Sequence, residues 1–170
     1  MPNIRPANEN DASLLPDIER SSGRIFRQWP GLEWIADDAV QSEEEHRTFI
    51  ADGVALVAEV PGFGIAAFLN GTIAPEALHI CQIAVYNDHQ GHGFGRQLIE
   101  AAQQAAVDHG KNALTLTTFK DVPWNEPYYR RLGFVTLRND EVGPRLRGIL
   151  DSEIQAGLPM AHRCAMKKSL

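Results

Sequence analysis

Asn87-Asp88-His89-Gln90-Gly91-His92-Gly93-Phe94-Gly95-Arg96-Gln97-Leu98 separates an apolar run from an amphipathic one, and glycine recurs in it at alternate positions. Glycine reaches positive φ without strain and leaves no side chain to block an approaching ligand. Successive backbone N–H groups can therefore converge on one concavity. A helix that follows adds its unpaired first-turn donors and the positive end of its dipole. Those are the ingredients of an anion site, phosphate above all. A plain connector has no use for three glycines, since each costs roughly 0.5–1 kcal/mol inside an element. The spacing excludes two familiar phosphate binders. A P-loop places Lys and then Ser or Thr after its last glycine, and here Gly95 is followed by Arg96-Gln97. A dinucleotide fingerprint begun at Gly91 needs a small residue where Arg96 stands, and one begun at Gly93 needs it at Leu98.

Working outward, residues 55–60, 65–69 and 78–86 are rich in Val, Ile, Leu and Ala and read as strands. Pro61-Gly62 and Asn70-Gly71 read as the turns between them. Connections that short imply antiparallel pairing. Downstream, Leu98, Ile99, Ala102, Ala105 and Ala106 line one face of a helix that Gly110 ends. A β-rich run at 113–117 follows, and strand, long helix, strand predicts a right-handed crossover between parallel neighbours. At the N-terminus, residues 4–6 read as a short strand, and Asn8 with Asp11 caps a helix whose apolar face is Leu14, Leu15 and Ile18. Ser42 with Glu45 caps another, running to about Asp52. Residues 23–34 have no clean period and read as an aromatic loop or irregular helix. Helices at 124–132 and 144–156 and strands at 134–137 and 161–166 complete the chain. The expectation is one α/β domain of α+β type over residues 1–170, its sheet antiparallel first and parallel in the middle.

Bulk composition narrows the function. With 16 Lys and Arg against 22 Asp and Glu the chain is acidic, which argues against nucleic acid and suits cationic partners such as amines. No apolar stretch approaches the length of a membrane span, and residues 1–6 lack the apolar core of a signal peptide. Cys81 and Cys164 match neither a disulfide framework nor a zinc pattern and read as reduced, buried or half-buried thiols. No metal is expected, and a reducing cytoplasm is the expected location.

Two blocks resemble the GNAT superfamily of N-acetyltransferases. Gln90, Gly93 and Gly95 match its signature of Gln or Arg, two residues, Gly, one residue, Gly or Ala. Tyr129-Arg130-Arg131-Leu132-Gly133-Phe134 matches its aromatic block closing in Gly-Phe. The order of elements also agrees from Ile4 to about Phe134. The resemblance implies a mixed sheet whose parallel central pair is splayed around the cofactor, with helices flanking it. It implies acetyl-CoA as donor and an amine-bearing acceptor, the primary amine of a small molecule, peptide or protein. Carried over by position, the backbone of Ile83, Ala84 and Val85 would bind the pantetheine arm. The amides of Gly91, His92, Gly93, Phe94, Gly95 and Arg96 would hold the diphosphate, and Gln90 would shape their turn. Asn125 resembles a cofactor-contacting asparagine, set closer to Tyr129 than in the common spacing. Tyr129 matches the family's general acid, although Tyr128, Tyr129 and Trp124 also read as residues that pack a helix on the sheet. Dimerisation is common in related folds, and a homodimer here would use the 144–156 helix.

The chemistry exposes one gap. An alkyl amine with a pKa near 10.4 is neutral in roughly one molecule per thousand or fewer at pH 7, so something must take its proton. Many members of the family it resembles carry a Glu on the central strand, near the places held here by Cys81 and Gln82. His79, Glu33 and ordered water remain as bases. Phe26, Trp29, Glu33 and Trp34 form the expected acceptor site, an aromatic and acidic mixture suited to an ammonium ion, or else part of the core. A non-catalytic acyl-CoA-binding or sensing module is the rival reading, and a nucleotide-binding regulator the third.

Overall fold

The computed structural model describes residues 2–170. Seven strands, β1 (Asn3–Pro6), β2 (Val54–Val60), β3 (Gly64–Ile73), β4 (Leu78–Val85), β5 (Ala113–Phe119), β6 (Val135–Thr136) and β7 (Arg163–Ser169), form one sheet in the order β1-β2-β3-β4-β5-β7-β6. Every neighbouring pair is antiparallel except β4 and β5. Parallel neighbours need a crossover, and α3 (Phe94–Asp108) supplies it. Its Leu98, Ile99, Ala102 and Ala106 are buried with Leu56, Leu69, Leu78 and Leu114 of the sheet. The opposite face carries α1 (Leu15–Gly23), whose Leu15 and Ile18 pack on Val57, Phe68 and Ala84. Two shorter helices, α2 (Glu43–Asp52) and α4 (Glu126–Arg131), and the longer α5 (Pro144–Gln155) complete the domain. No helix among the described residues is long and apolar enough to cross a membrane.

The central pair is hardly a pair. β4 and β5 register only at Leu78↔Leu114 and His79↔Thr115, after which the strands part. Just past that point the β3–β4 register jumps from Gly71↔Ile80 to Asn70↔Gln82, so Cys81 is an extra residue on β4. A bulge of this kind bends its strand and increases its twist. It also changes parity. Leu78 and Ile80 point into the α3 core, and beyond the bulge it is Ile83 and Val85 that do so, while Ala84 faces α1.

Several boundaries differ from the sequence expectation. Asn70-Gly71 is no turn, since β3 runs through it and the reversal comes where the Ala74 N–H donates to Ala77 O (2.8 Å). Asn70 is buried with its amide bonded to Gln41 Oε1, and a side chain at Gly71 would strike the His79 carbonyl, so this glycine serves strand approach. Leu14 is exposed, because residues Glu9–Leu14 form a 3₁₀ turn and the α-helix starts one residue later. The Ser42 and Asn8 caps form as expected, each with its reciprocal carboxylate. The 124–132 helix shortens to α4 and the 134–137 strand to β6, while the last strand lies two or three residues later than expected. Cys164 is buried, but Cys81 is exposed, at the bulge.

Gly95 has a packing role. A β-carbon there would strike the Tyr128 hydroxyl, which lies against the first turn of α3. Gly95→Ala should destabilise the protein by about 1–3 kcal/mol through overpacking. Adding Tyr128→Phe should recover most of that loss in denaturant unfolding. No recovery would show that α4 does not pack there.

Candidate functional site

Where β4 and β5 diverge they open a cleft of about 1020 Å³. One wall is β4 from Ile80 to Val85 and the other is β5 from Leu116 to Phe119. α1 and the segment after it close one side, and α4 the other. The backbone polar groups that β4 and β5 turn toward each other beyond His79 and Thr115 have no strand partner. Serines of α1 fasten the far end of β4: the Val85 N–H donates to Ser22 Oγ (3.3 Å) and the Asn87 N–H to Ser21 Oγ (2.9 Å).

The glycine turn stands at the mouth of this cleft. Gln90 ties it down, its Nε2 donating to Val85 O (3.2 Å). Gly91 and Gly93 take φ of 80° and 85°, and a β-carbon at either would meet nothing within 4 Å. Their left-handed backbone requires glycine, and the space beside them is open. Gly93 is the N-cap of α3, yet no side chain caps the helix. Gln97 is the first of its amides to reach a carbonyl, at Gly93 O (3.1 Å), leaving the N–H groups of Phe94, Gly95 and Arg96 without a backbone acceptor. Gly91, Gly93, Phe94, Gly95 and Arg96 line the cleft, whereas His92 does not. A 15-residue helix thus presents an uncapped positive end to an open concavity, which is a seat for an anion.

The other sequence-derived residues divide clearly. Ile83, Val85, Gln90, Asn125 and Tyr129 line the cleft, while Ala84 does not and turns its side chain toward α1. Asn125 Oδ1 is buried there without a partner. Tyr129 packs edge-on against Phe134, with ring centroids 5.7 Å apart, and burial pushes its pKa up, so it keeps its proton. Phe26 lines the cleft and meets Trp124 at 5.5 Å. Trp29, Glu33 and Trp34 do not line it. Trp29 packs on Trp124 (5.7 Å), Glu33 accepts the Gly31 N–H (2.8 Å), and Trp34 is exposed.

His79 sits at the apex of the splay, outside the cleft. Its Nδ1 is 2.9 Å from Thr115 Oγ1, which also accepts from Arg145 (3.0 Å), and Arg145 is ion-paired with Glu76. Burial, and then Arg145, lowers its pKa to about 4, so it is a neutral structural group. Three cleft residues went unnoticed in the sequence: Glu19 on α1 and the pair of Glu153 with Arg163 (2.9 Å). Burial pushes Glu19 up to about 7. Nothing in a linear pattern separates such a carboxylate from the exposed Asp17 two residues earlier.

A splayed mixed sheet with an uncapped helix end at its opening is a fold built around an anion-suited cleft. The chain belongs to the acetyltransferase (GNAT) family, whose model matches residues 15–134. Among solved structures it is similar to a PaiA N-acetyltransferase from Thermoplasma acidophilum in complex with coenzyme A, with TM-score 0.73, 15% identity, and 100% and 99% of the two chains covered. It is also similar to the ribosomal-protein-S18-alanine N-acetyltransferase from Escherichia coli (TM-score 0.67, 18% identity, 99% and 94% covered). A third similar structure is the N-acetylglutamate synthase from Neisseria gonorrhoeae complexed with coenzyme A and N-acetyl-glutamate (TM-score 0.71, 19% identity), of which this chain spans 35%.

His79 gives a test of the apex. The unfolded chain binds its proton near pH 6.5, whereas the folded chain refuses it until about pH 4. Its contribution is therefore complete above pH 6.5 and lost as pH falls toward 4, approaching about 3 kcal/mol at 1.36 kcal/mol per pKa unit. Glu19 runs the opposite slope, because its pKa is raised, but it does so in wild type and variant alike. The stability difference between wild type and His79→Asn should thus shrink as pH falls from 7 to 4. A pH-independent difference would mean that His79 titrates normally.

Proposed function

We propose that the protein moves an acetyl group from acetyl-CoA to the primary amine of a small molecule, peptide or protein by direct attack with both substrates bound. The observation that carries this reading is the uncapped start of α3 beside Gly91 and Gly93, opening on a cleft whose two strands stop pairing with each other after His79 and Thr115. The coenzyme A in the Thermoplasma acidophilum structure supports it. The amides of Gly91, His92, Gly93, Phe94, Gly95 and Arg96 would take the diphosphate, with the Arg96 charge beside them. The backbone of Ile83, Ala84 and Val85 would extend the β4 ladder to the amide groups of the pantetheine arm. Asn125 Oδ1, buried without a partner, fits a donor on the same arm.

Acetyl-CoA supplies the activated thioester, and the chain's residues direct it. Amides of β4 past the bulge can polarise the carbonyl. Tyr129, held protonated by its burial, would donate to the departing sulfur, whose thiolate is a stronger base in the same desolvated cleft than in water. The acceptor would enter past Phe26, between α1 and the end of β5.

Tyr129→Phe should lower turnover at least tenfold in a thiol-release assay with an amine panel, while calorimetric affinity for coenzyme A stays within twofold. Unchanged turnover removes Tyr129 from this role. Coenzyme A binding without turnover of any amine by the wild type would favour the binding-only module. Gly93→Val, forced into a left-handed conformation and filling the anion seat, should weaken coenzyme A at least tenfold.

A further inference from the structure

We propose that Glu19 takes the proton from the acceptor's ammonium group, and that its place in the cleft wall is fixed by a chain of hydrogen bonds running from α1 to the bulged strand. This rests on the acetyl-transfer reading above. Glu19 lies one turn before Ser22, the residue that fastens α1 to Val85. Its Oε1 accepts the Gln41 N–H (3.0 Å). Gln41 Oε1 accepts in turn from Asn70 Nδ2 (2.8 Å), and buried Asn70 stands opposite Gln82 on β4. The carboxyl is thereby tethered to the β3 residue that pairs with Gln82, just before the stretch that would bind the pantetheine arm. Its second oxygen makes no hydrogen bond, and Glu19 lines the cleft.

The other ionisable groups there are engaged or misplaced. Glu153 is paired with Arg163 and also accepts the Thr117 hydroxyl (2.6 Å). Asp38 is exposed. His89 stacks on Phe63 (4.3 Å) at the glycine turn, the diphosphate end. Cys81, though its surface is exposed at the bulge, lines the cleft, where desolvation of the thiolate raises its thiol pKa.

The surroundings of Glu19 set its strength. Burial is the main influence and raises its pKa to about 7, against the Gln41 N–H, which favours the carboxylate. Glu45 of α2 and Asp38 raise it further, and Arg20, the next residue on α1, lowers it. A base near the working pH combines a useful ionised fraction with a useful affinity for the proton. The same carboxylates draw a cation to this end of the cleft.

The protons balance. The ammonium gives one proton to Glu19, and the freed lone pair forms the C–N bond. The C–S bond breaks, and the sulfur takes the Tyr129 proton. The nitrogen's second proton restores Tyr129, and Glu19 returns its own to solvent. The products are an amide, a thiol and one released proton.

The test is the pH profile of kcat/KM for one alkyl amine with wild type, Glu19→Gln and Glu19→Asp. Wild type should show an acidic limb near pH 7. Glu19→Gln should lose that limb and at least tenfold in kcat, with coenzyme A affinity unchanged by calorimetry. Its melting temperature at pH 8 should not fall, because the variant removes a half-buried charge. Glu19→Asp should keep the limb at reduced rate. A merely structural Glu19 would lower the melting temperature and leave the limb in place. Retention of the limb, or kcat within twofold of wild type, in Glu19→Gln overturns the proposal while leaving acetyl transfer standing. A wild type that turns over no amine overturns both.

Discussion

The cleft exists because two parallel strands stop pairing after two residues. β4 and β5 share Leu78↔Leu114 and His79↔Thr115 and then separate, although each remains bonded to its outer neighbour, β3 or β7. Buried backbone N–H and C=O groups must find partners, and an interior pair of edges facing each other across a gap is an unmet demand. The bulge at Cys81 and the apex network of His79, Thr115, Arg145 and Glu76 hold the strands in this arrangement. The bulge also fixes which residues look into the cleft, since a strand without it would present Gln82 and Ala84 where Ile83 and Val85 now stand.

Two charge environments then divide the cleft. At its mouth the α3 dipole, three unpaired amides and Arg96 make an anion seat. Deeper in, on the α1 side, Glu19 with Asp38 and Glu45 nearby makes a place for a cation. Tyr129 stands on the opposite wall, held in its protonated form by burial. A bulky polyanionic donor and a cationic acceptor would thus approach from different sides and meet where β4 and β5 part. The walls do not depend on the ligand: α1 is fastened to β4 through Ser21 and Ser22, and α4 is packed through Tyr128 against Gly95.

The glycine turn was legible in the sequence because its function lies in backbone conformation, and only glycine serves at Gly91 and Gly93. The crossover helix was legible because its apolar face recurs at helical spacing over 15 residues. Asn70-Gly71 misled because turn propensity is local, whereas that glycine answers to the carbonyl of a neighbouring strand. The aromatic segment promised an acceptor site, but Trp29 satisfies its surface against Trp124 and Glu33 binds its own turn, leaving Phe26 in the cleft. Glu19 was invisible because its meaning comes from Gln41 and Asn70, 22 and 51 positions away, and from burial that no single residue announces.

The most direct measurement is a backbone amide NMR titration of the full chain with coenzyme A. The account predicts saturable shifts concentrated at residues 91–96 and at 83–85 of β4, with the 94–96 amides moving most. Absence of shifts at millimolar coenzyme A, or shifts centred on another part of the surface, would contradict it.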